Sequence, residues 1–154
     1  MARKLGQWLG LGAAALALAS CGGSSSGGGG GTVSGGAPGF YITIQGRAFS
    51  PLELSVPPGG TVTVVNDDAM PHSVTSEAAA GSFSPGGVAG VQFDTGQFMG
   101  TKTFTIPAST PNGTVIPYYC SVHTSTMVTP TGTIKVDDTA QPGHAPGSGG
   151  GGGY

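Results

Sequence analysis

The chain has 154 residues, of which 31 are glycine and only 8% are charged, for a net charge of −2. This length allows one domain, and so much glycine leaves part of the chain outside any core. Five basic residues in all, none of them clustered around a groove, exclude a phosphate-neutralising nucleic-acid surface.

Residues 1–21 place Arg3 and Lys4 before an apolar run from Trp8 to Ala19 and end in Ser20-Cys21, the layout of a secretory signal peptide. The run is far shorter than the ~20 residues a membrane-spanning helix needs. Leu18-Ala19-Ser20-Cys21 resembles the bacterial lipobox, which implies removal of residues 1–20 and lipidation of Cys21. An ordinary signal peptide cut near Ala19 is the alternative. The resemblance implies an exported protein of the cell envelope, anchored by lipid and facing the periplasm or the cell surface. Gly22 after the cysteine, where an acidic residue is absent, favours an outer membrane.

Without residues 1–20 the basic residues are Arg47, Lys102 and Lys135, against Glu53, Asp67, Asp68, Glu77, Asp94, Asp137 and Asp138, a net charge of −4. If Cys21 is acylated, Cys120 is the one thiol left, in an oxidising compartment and with no internal partner for a disulfide. Such a thiol is buried and inert, paired between molecules, or held by a metal.

Residues 21–38 are nearly all Gly and Ser and read as a flexible tether, with a reach of roughly 20 to 25 Å for about 18 residues. From Phe40 the pattern alternates. Phe40, Ile42 and Ile44 face one way and Tyr41, Thr43 and Gln45 the other, as in a strand with one buried face. Leu52, Leu54 and Val56 repeat the pattern, Pro57-Pro58-Gly59-Gly60 makes a turn, and Thr61 to Asn66 is a third strand. His72 follows a polar turn and Pro71, at the point where a loop becomes a strand. Residues 78–90 are small and Gly-rich and read as a mobile loop. Val91 to Thr95, Thr101 to Ile106, the segment ending at Cys120 and Gly132 to Val136 are the remaining strands. The large core side chains are Phe40, Phe49, Phe83, Phe93, Phe98, Phe104 and Tyr118.

These seven to eight short strands with frequent turns and no convincing helix give an all-β Greek-key sandwich over residues 39–138. Residues 139–154, which include His144, read as a disordered Gly-rich tail.

The segment Tyr118 to Met127 carries the chemistry. Period-two alternation puts Ile116, Tyr118 and Cys120 on one inward face, so the thiol lies at the inner end of a strand and the following turn folds His123 and Met127 back over it. Two His, one Cys and a distant Met are the donors of blue-copper sites, with the thioether as a long axial ligand, and His72 is the other imidazole available inside the domain.

Three motifs together resemble the cupredoxin family, most closely its plastocyanin and pseudoazurin branch: Val64-Val65-Asn66-Asp67-Asp68 leading to Pro71-His72-Ser73-Val74, then Phe93-Asp94-Thr95-Gly96, then Tyr118-Tyr119-Cys120-Ser121-Val122-His123 with Met127. The resemblance implies a cupredoxin-like sandwich in which His72, Cys120 and His123 hold one type 1 copper ion equatorially and Met127 axially. It implies a monomer, not an enzyme, that passes single electrons to redox proteins such as a cytochrome or oxidase. Electrons would cross at the His123 edge, rimmed by Met70, Pro71 and the 124–131 loop. Tyr119 resembles the plastocyanin tyrosine of a second route, although an ordinary exposed strand aromatic reads the same way. Ser73 and Ser121 are placed to link the two ligand segments by a hydrogen bond. Four residues, Val128 to Thr131, separate Met127 from Gly132, more than the family usually has.

Other readings of the same residues are a copper carrier or storage module, a small copper redox enzyme, and a metal-free adhesive sandwich. A Cys-His hydrolase fits poorly, since Cys120 and His123 are three apart with no acid between them.

Overall fold

The computed structural model describes residues 36–146. The expected signal segment, the Cys21 anchor and nearly all of the tether lie outside the described residues, as does the tail beyond residue 146. Among the described residues there is no helix, and hence none long and apolar enough to cross a membrane.

Among the described residues, nine strands form two sheets. In the first, β1 (Pro38–Gln45) lies between β2 (Ala48–Ser50) and β4 (Thr61–Asn66), and β6 (Gly100–Thr105) closes the other edge. The second runs in the order β3 (Glu53–Val56), β8 (Thr131–Val136), β7 (Val115–Tyr119) and β5 (Thr75–Ser76). The β1–β4 and β3–β8 ladders are parallel, while β4–β6 and β7–β8 are antiparallel. Parallel neighbours need long crossovers, so consecutive segments pass between the two sheets and the chain closes as a sandwich.

Period-two burial builds the core. Ile42 and Ile44 of β1 and Val62 and Val64 of β4 face Ile116 and Tyr118 of β7 and Ile134 and Val136 of β8, all without solvent exposure. Burying side chains of this size stabilises by about 1.5 to 3 kcal/mol each. Tyr118 packs edge-on against Phe49, with ring centroids 5.1 Å apart. Opposite it in the β7–β8 ladder stands Gly132, where an added Cβ would run into the Tyr118 ring. Pro117 has no N–H to give, and β5 pairs with β7 only at Tyr118 and Tyr119, beyond it.

Several expectations need correction. Leu52 lies before β3, in a bend where period two no longer applies. Its side chain is 52% exposed, while its carbonyl accepts the Thr133 N–H. Phe83 is an exposed residue and not part of the core. Val91 to Thr95 forms no strand, although Val91 and Phe93 are buried. The Ser76 hydroxyl there takes the Phe93 N–H at 2.9 Å in place of a ladder partner.

The 78–90 loop is tied down by Glu77. This fully buried carboxylate accepts from the backbone N–H groups of Gly81 and Phe83, both at 2.8 Å, and from the Ser82 hydroxyl at 3.1 Å. Part of the expected tail is ordered into the sheet. Gly143 and His144 form β9 and pair antiparallel with Gly39 and Pro38.

Candidate metal centre

Three segments deliver side chains to one end of the sandwich. β4 ends at Asn66, whose buried amide donates to the carbonyls of Met70 and Phe98 at 3.0 and 2.9 Å, while its Oδ1 accepts the Asp68 N–H. This folds residues 66–70 into a tight polar turn. His72 leaves the turn fully buried and exchanges both backbone hydrogen bonds with Phe98. Strand β7 brings Cys120, also fully buried. Beyond it, the N–H groups of Thr126 and Met127 donate to the His123 carbonyl, closing a turn that carries a half-buried His123 and a buried Met127.

The His72 Nδ1 atom lies 3.6 Å from Cys120 Sγ and 3.3 Å from His123 Nδ1, and the donor atoms of all three residues fall within 4.8 Å of one another. An ion bound tetrahedrally at about 2.05 Å from nitrogen and about 2.3 Å from thiolate sulfur sets nitrogen–nitrogen and nitrogen–sulfur separations of roughly 3.3 and 3.6 Å. The two separations that involve His72 match those values, and the three residues together form a group that could hold a metal ion.

The orientation of His72 is fixed from behind. Its Nε2 lies 2.9 Å from Asp68 Oδ2. With the Nε2 proton given to the carboxylate, the Nδ1 lone pair faces Cys120 and His123, as a metal-ligating imidazole requires. Burial lowers the pKa of His72; the Asp68 carboxylate opposes this and the nearby His123 ring adds to it. Burial raises the pKa of Asp68, but the N–H groups of Arg47 and Gly46 together with the His72 ring outweigh it and hold the carboxyl below its usual value. Sequence reasoning missed Asp68 as a functional residue. The available signal was an acidic side chain four residues before a histidine across a tight turn.

Ser73 joins the His72 segment to the Cys120 strand. Its fully buried hydroxyl oxygen accepts the Ser121 N–H at 2.8 Å, lies 2.8 Å from the Ser121 hydroxyl and stands 4.0 Å from Cys120 Sγ. The expected Ser73–Ser121 hydrogen bond is thus present, with a second one through the backbone.

Tyr119 departs from expectation. It is only 2% exposed, and the Phe83 ring lies edge-on to it with centroids 5.9 Å apart. Burial raises its phenol pKa, with smaller contributions from the Glu77 and Asp94 charges. The surface on that side is therefore Phe83, not an exposed tyrosine. Met70, Met99 and Val128, each within two residues of His72, Phe98 or Met127, are exposed.

No protein-family model matches the chain, and no curated protein matches it. Solved structures do. A purple cupredoxin from Nitrosopumilus maritimus is similar at 28% identity and a TM-score of 0.45, over 63% of this chain and 98% of its own. The cuprous form of an amicyanin variant is similar at 21% identity and a TM-score of 0.47, over 66% of this chain and 84% of its own. A copper-containing nitrite reductase from Thermus scotoductus is similar at 21% identity and a TM-score of 0.43, over 62% of this chain and 21% of that enzyme.

Proposed function

We propose that this protein is a type 1 copper electron carrier of the cell envelope, with His72, Cys120 and His123 as equatorial ligands and Met127 as the axial one. The observation that carries the reading is the cluster itself: three donor atoms within 4.8 Å, with the far nitrogen of His72 already committed to Asp68. Thiolate and thioether favour cuprous ion and imidazole suits both oxidation states, so this donor set supports copper over a hard, oxygen-loving cation. Bound copper would supply a one-electron couple between Cu(I) and Cu(II).

The residues of the chain supply the rest. Cys120 gives up its proton to bind, which makes metal affinity pH-dependent. Its full burial keeps the sulfur away from solvent and oxidants. The tight turns at 66–70 and 123–127 and the Ser73 link hold the donors in one arrangement, so that little has to move when the charge changes. His123 is the one residue of the cluster that is not fully buried, and exposed apolar side chains near the ligand segments in sequence, Met70 and Val128, would suit brief docking of a redox protein such as a cytochrome or oxidase. Lipidation at Cys21 and the tether would let the domain swing between partners at the membrane.

The test is the visible spectrum of the full-length chain with cupric salt. An intense thiolate-to-copper band is expected, lost in Cys120→Ser. A colourless copper complex overturns the reading. A wild-type complex that yields its copper readily to a chelator supports a carrier or store in place of an electron shuttle.

A further inference from the structure

The turn between β1 and β2 contains no expected ligand, yet it is hydrogen-bonded to both ligand loops. On one side the Gly46 and Arg47 N–H groups donate to the two carboxylate oxygens of Asp68, at 2.6 and 2.8 Å. The same carboxylate holds His72 Nε2. On the other side the Arg47 carbonyl accepts the Val128 N–H at 2.8 Å, next to Met127. Ala48 pairs in parallel with Thr129, and the Phe49 N–H donates to Thr129 Oγ1 at 2.7 Å.

Gly46 and Arg47 both sit at positive φ, 58° and 59°. For a non-glycine residue that conformation is uncommon and persists when its surroundings hold it. Here it turns successive N–H groups toward one carboxylate while the carbonyl of Arg47 points to the other loop. Val128 and Thr129 belong to the four residues that separate Met127 from Gly132. Those residues have a use: they carry the chain from Met127 across to the turn before it enters β8.

We propose that the Gly46–Phe49 segment is a positioning clamp that fixes the seat of Met127 relative to His72, so that the axial contact depends on Asp68 even though Asp68 touches only His72 among the ligands. The proposal rests on the copper reading above. Asp68 and Thr129 do not bond to each other; each holds the same short segment from an opposite side. Loosening either end frees it, and loosening the second end then adds little.

A double-variant cycle on the full-length chain tests this. Asp68→Ala and Thr129→Val are made singly and together, with cuprous affinity and the ratio of the two thiolate–copper absorption bands as readouts, the ratio reporting how closely the axial ligand approaches. Loss of an outer partner of a ligand costs about 10- to 100-fold in affinity, which is the loss expected for Asp68→Ala. Both single variants should shift the band ratio in the same direction, and the double variant should lose no more affinity than the worse single one. Losses that multiply, as independent distant sites give, overturn the clamp, as does a Thr129→Val spectrum identical to wild type. If Asp68→Ala does not fold, Asp68→Asn, which keeps one acceptor oxygen, takes its place in the cycle. A wild-type chain without a thiolate band refutes the copper reading itself, a result distinct from a blue wild type whose variants behave independently.

Discussion

Ser73→Ala separates a ligand-positioning hydroxyl from a merely structural one. The wild-type oxygen lies within hydrogen-bond distance of four groups: the Ser121 N–H, the Ser121 hydroxyl, the Thr75 hydroxyl at 3.4 Å and Cys120 Sγ at 4.0 Å. Removing it does not strand them equally. Thr75 retains Asp94 at 2.9 Å, and the exposed Ser121 hydroxyl can turn to water. The Ser121 N–H bonds to Ser73 alone in the fold, and a donor left orphaned there costs about 1 to 3 kcal/mol. In a domain of this size each kcal/mol lowers the Tm by about 4 to 8 °C. The metal-free variant should therefore melt measurably lower by calorimetry or circular dichroism. Ser73 also bonds the backbone of the residue that follows Cys120, so the thiolate should shift relative to His72 and copper affinity should fall about tenfold or more. Competition with a cuprous chelator measures that loss, and voltammetry measures the accompanying change in potential. A lower Tm with unchanged affinity and potential would refute the positioning role. Unchanged Tm would refute the orphaned-donor argument as well.

Met127→Leu nearly conserves volume at a buried site and should cost less than about 1.5 kcal/mol in chemical denaturation while changing the thiolate band ratio; an unaltered spectrum would remove Met127 from the ligand set. Glu77→Ala withdraws the acceptor shared by Gly81, Ser82 and Phe83, so limited proteolysis within residues 78–90 should accelerate, and equal digestion of the two proteins would contradict the pinning. His72 is held below its ordinary value of 6.5, so the unfolded chain binds the proton more readily than the folded one. The metal-free fold should then lose stability as pH falls below about 6.5, with the lowered carboxyl of Asp68 extending the loss further into acid. Urea midpoints at neutral and mildly acidic pH measure this, and a higher midpoint in acid would refute it.

The sandwich was legible where local pattern and burial coincide. Alternation in Phe40–Gln45, Thr61–Asn66 and Gly132–Val136 reports a face buried by a long-lived ladder, and these segments are β1, β4 and β8. It failed where side chains replace the ladder. Val91 and Phe93 are buried, but the Ser76 hydroxyl takes the Phe93 N–H, and no periodicity in one segment reveals a bond supplied by another. Tyr119 failed for a related reason: its outward position on β7 is covered by Phe83, from a loop whose fold depends on the buried Glu77.

The approach of His72, Cys120 and His123 was legible because each donor type is scarce in the chain and a strand end constrains where a thiol can point. The groups that aim them were not, because carboxylates and backbone amides are common and their role is set by distance alone. Asp68 is one of two adjacent aspartates in a turn, and only its contacts with His72, Gly46 and Arg47 distinguish it from Asp67. The same reasoning applies to the segment after Met127. In the sequence its four residues look like a departure that loosens the axial ligand; in the fold, Val128 and Thr129 are hydrogen-bonded to the β1–β2 turn, which is bonded in turn to the carboxylate behind His72. The longer connection thus adds a fixed point to the Met127 loop, and shortening it by Val128 and Thr129 should weaken the axial contact instead of tightening it, seen as a shift of the thiolate bands in the same direction as in Met127→Leu.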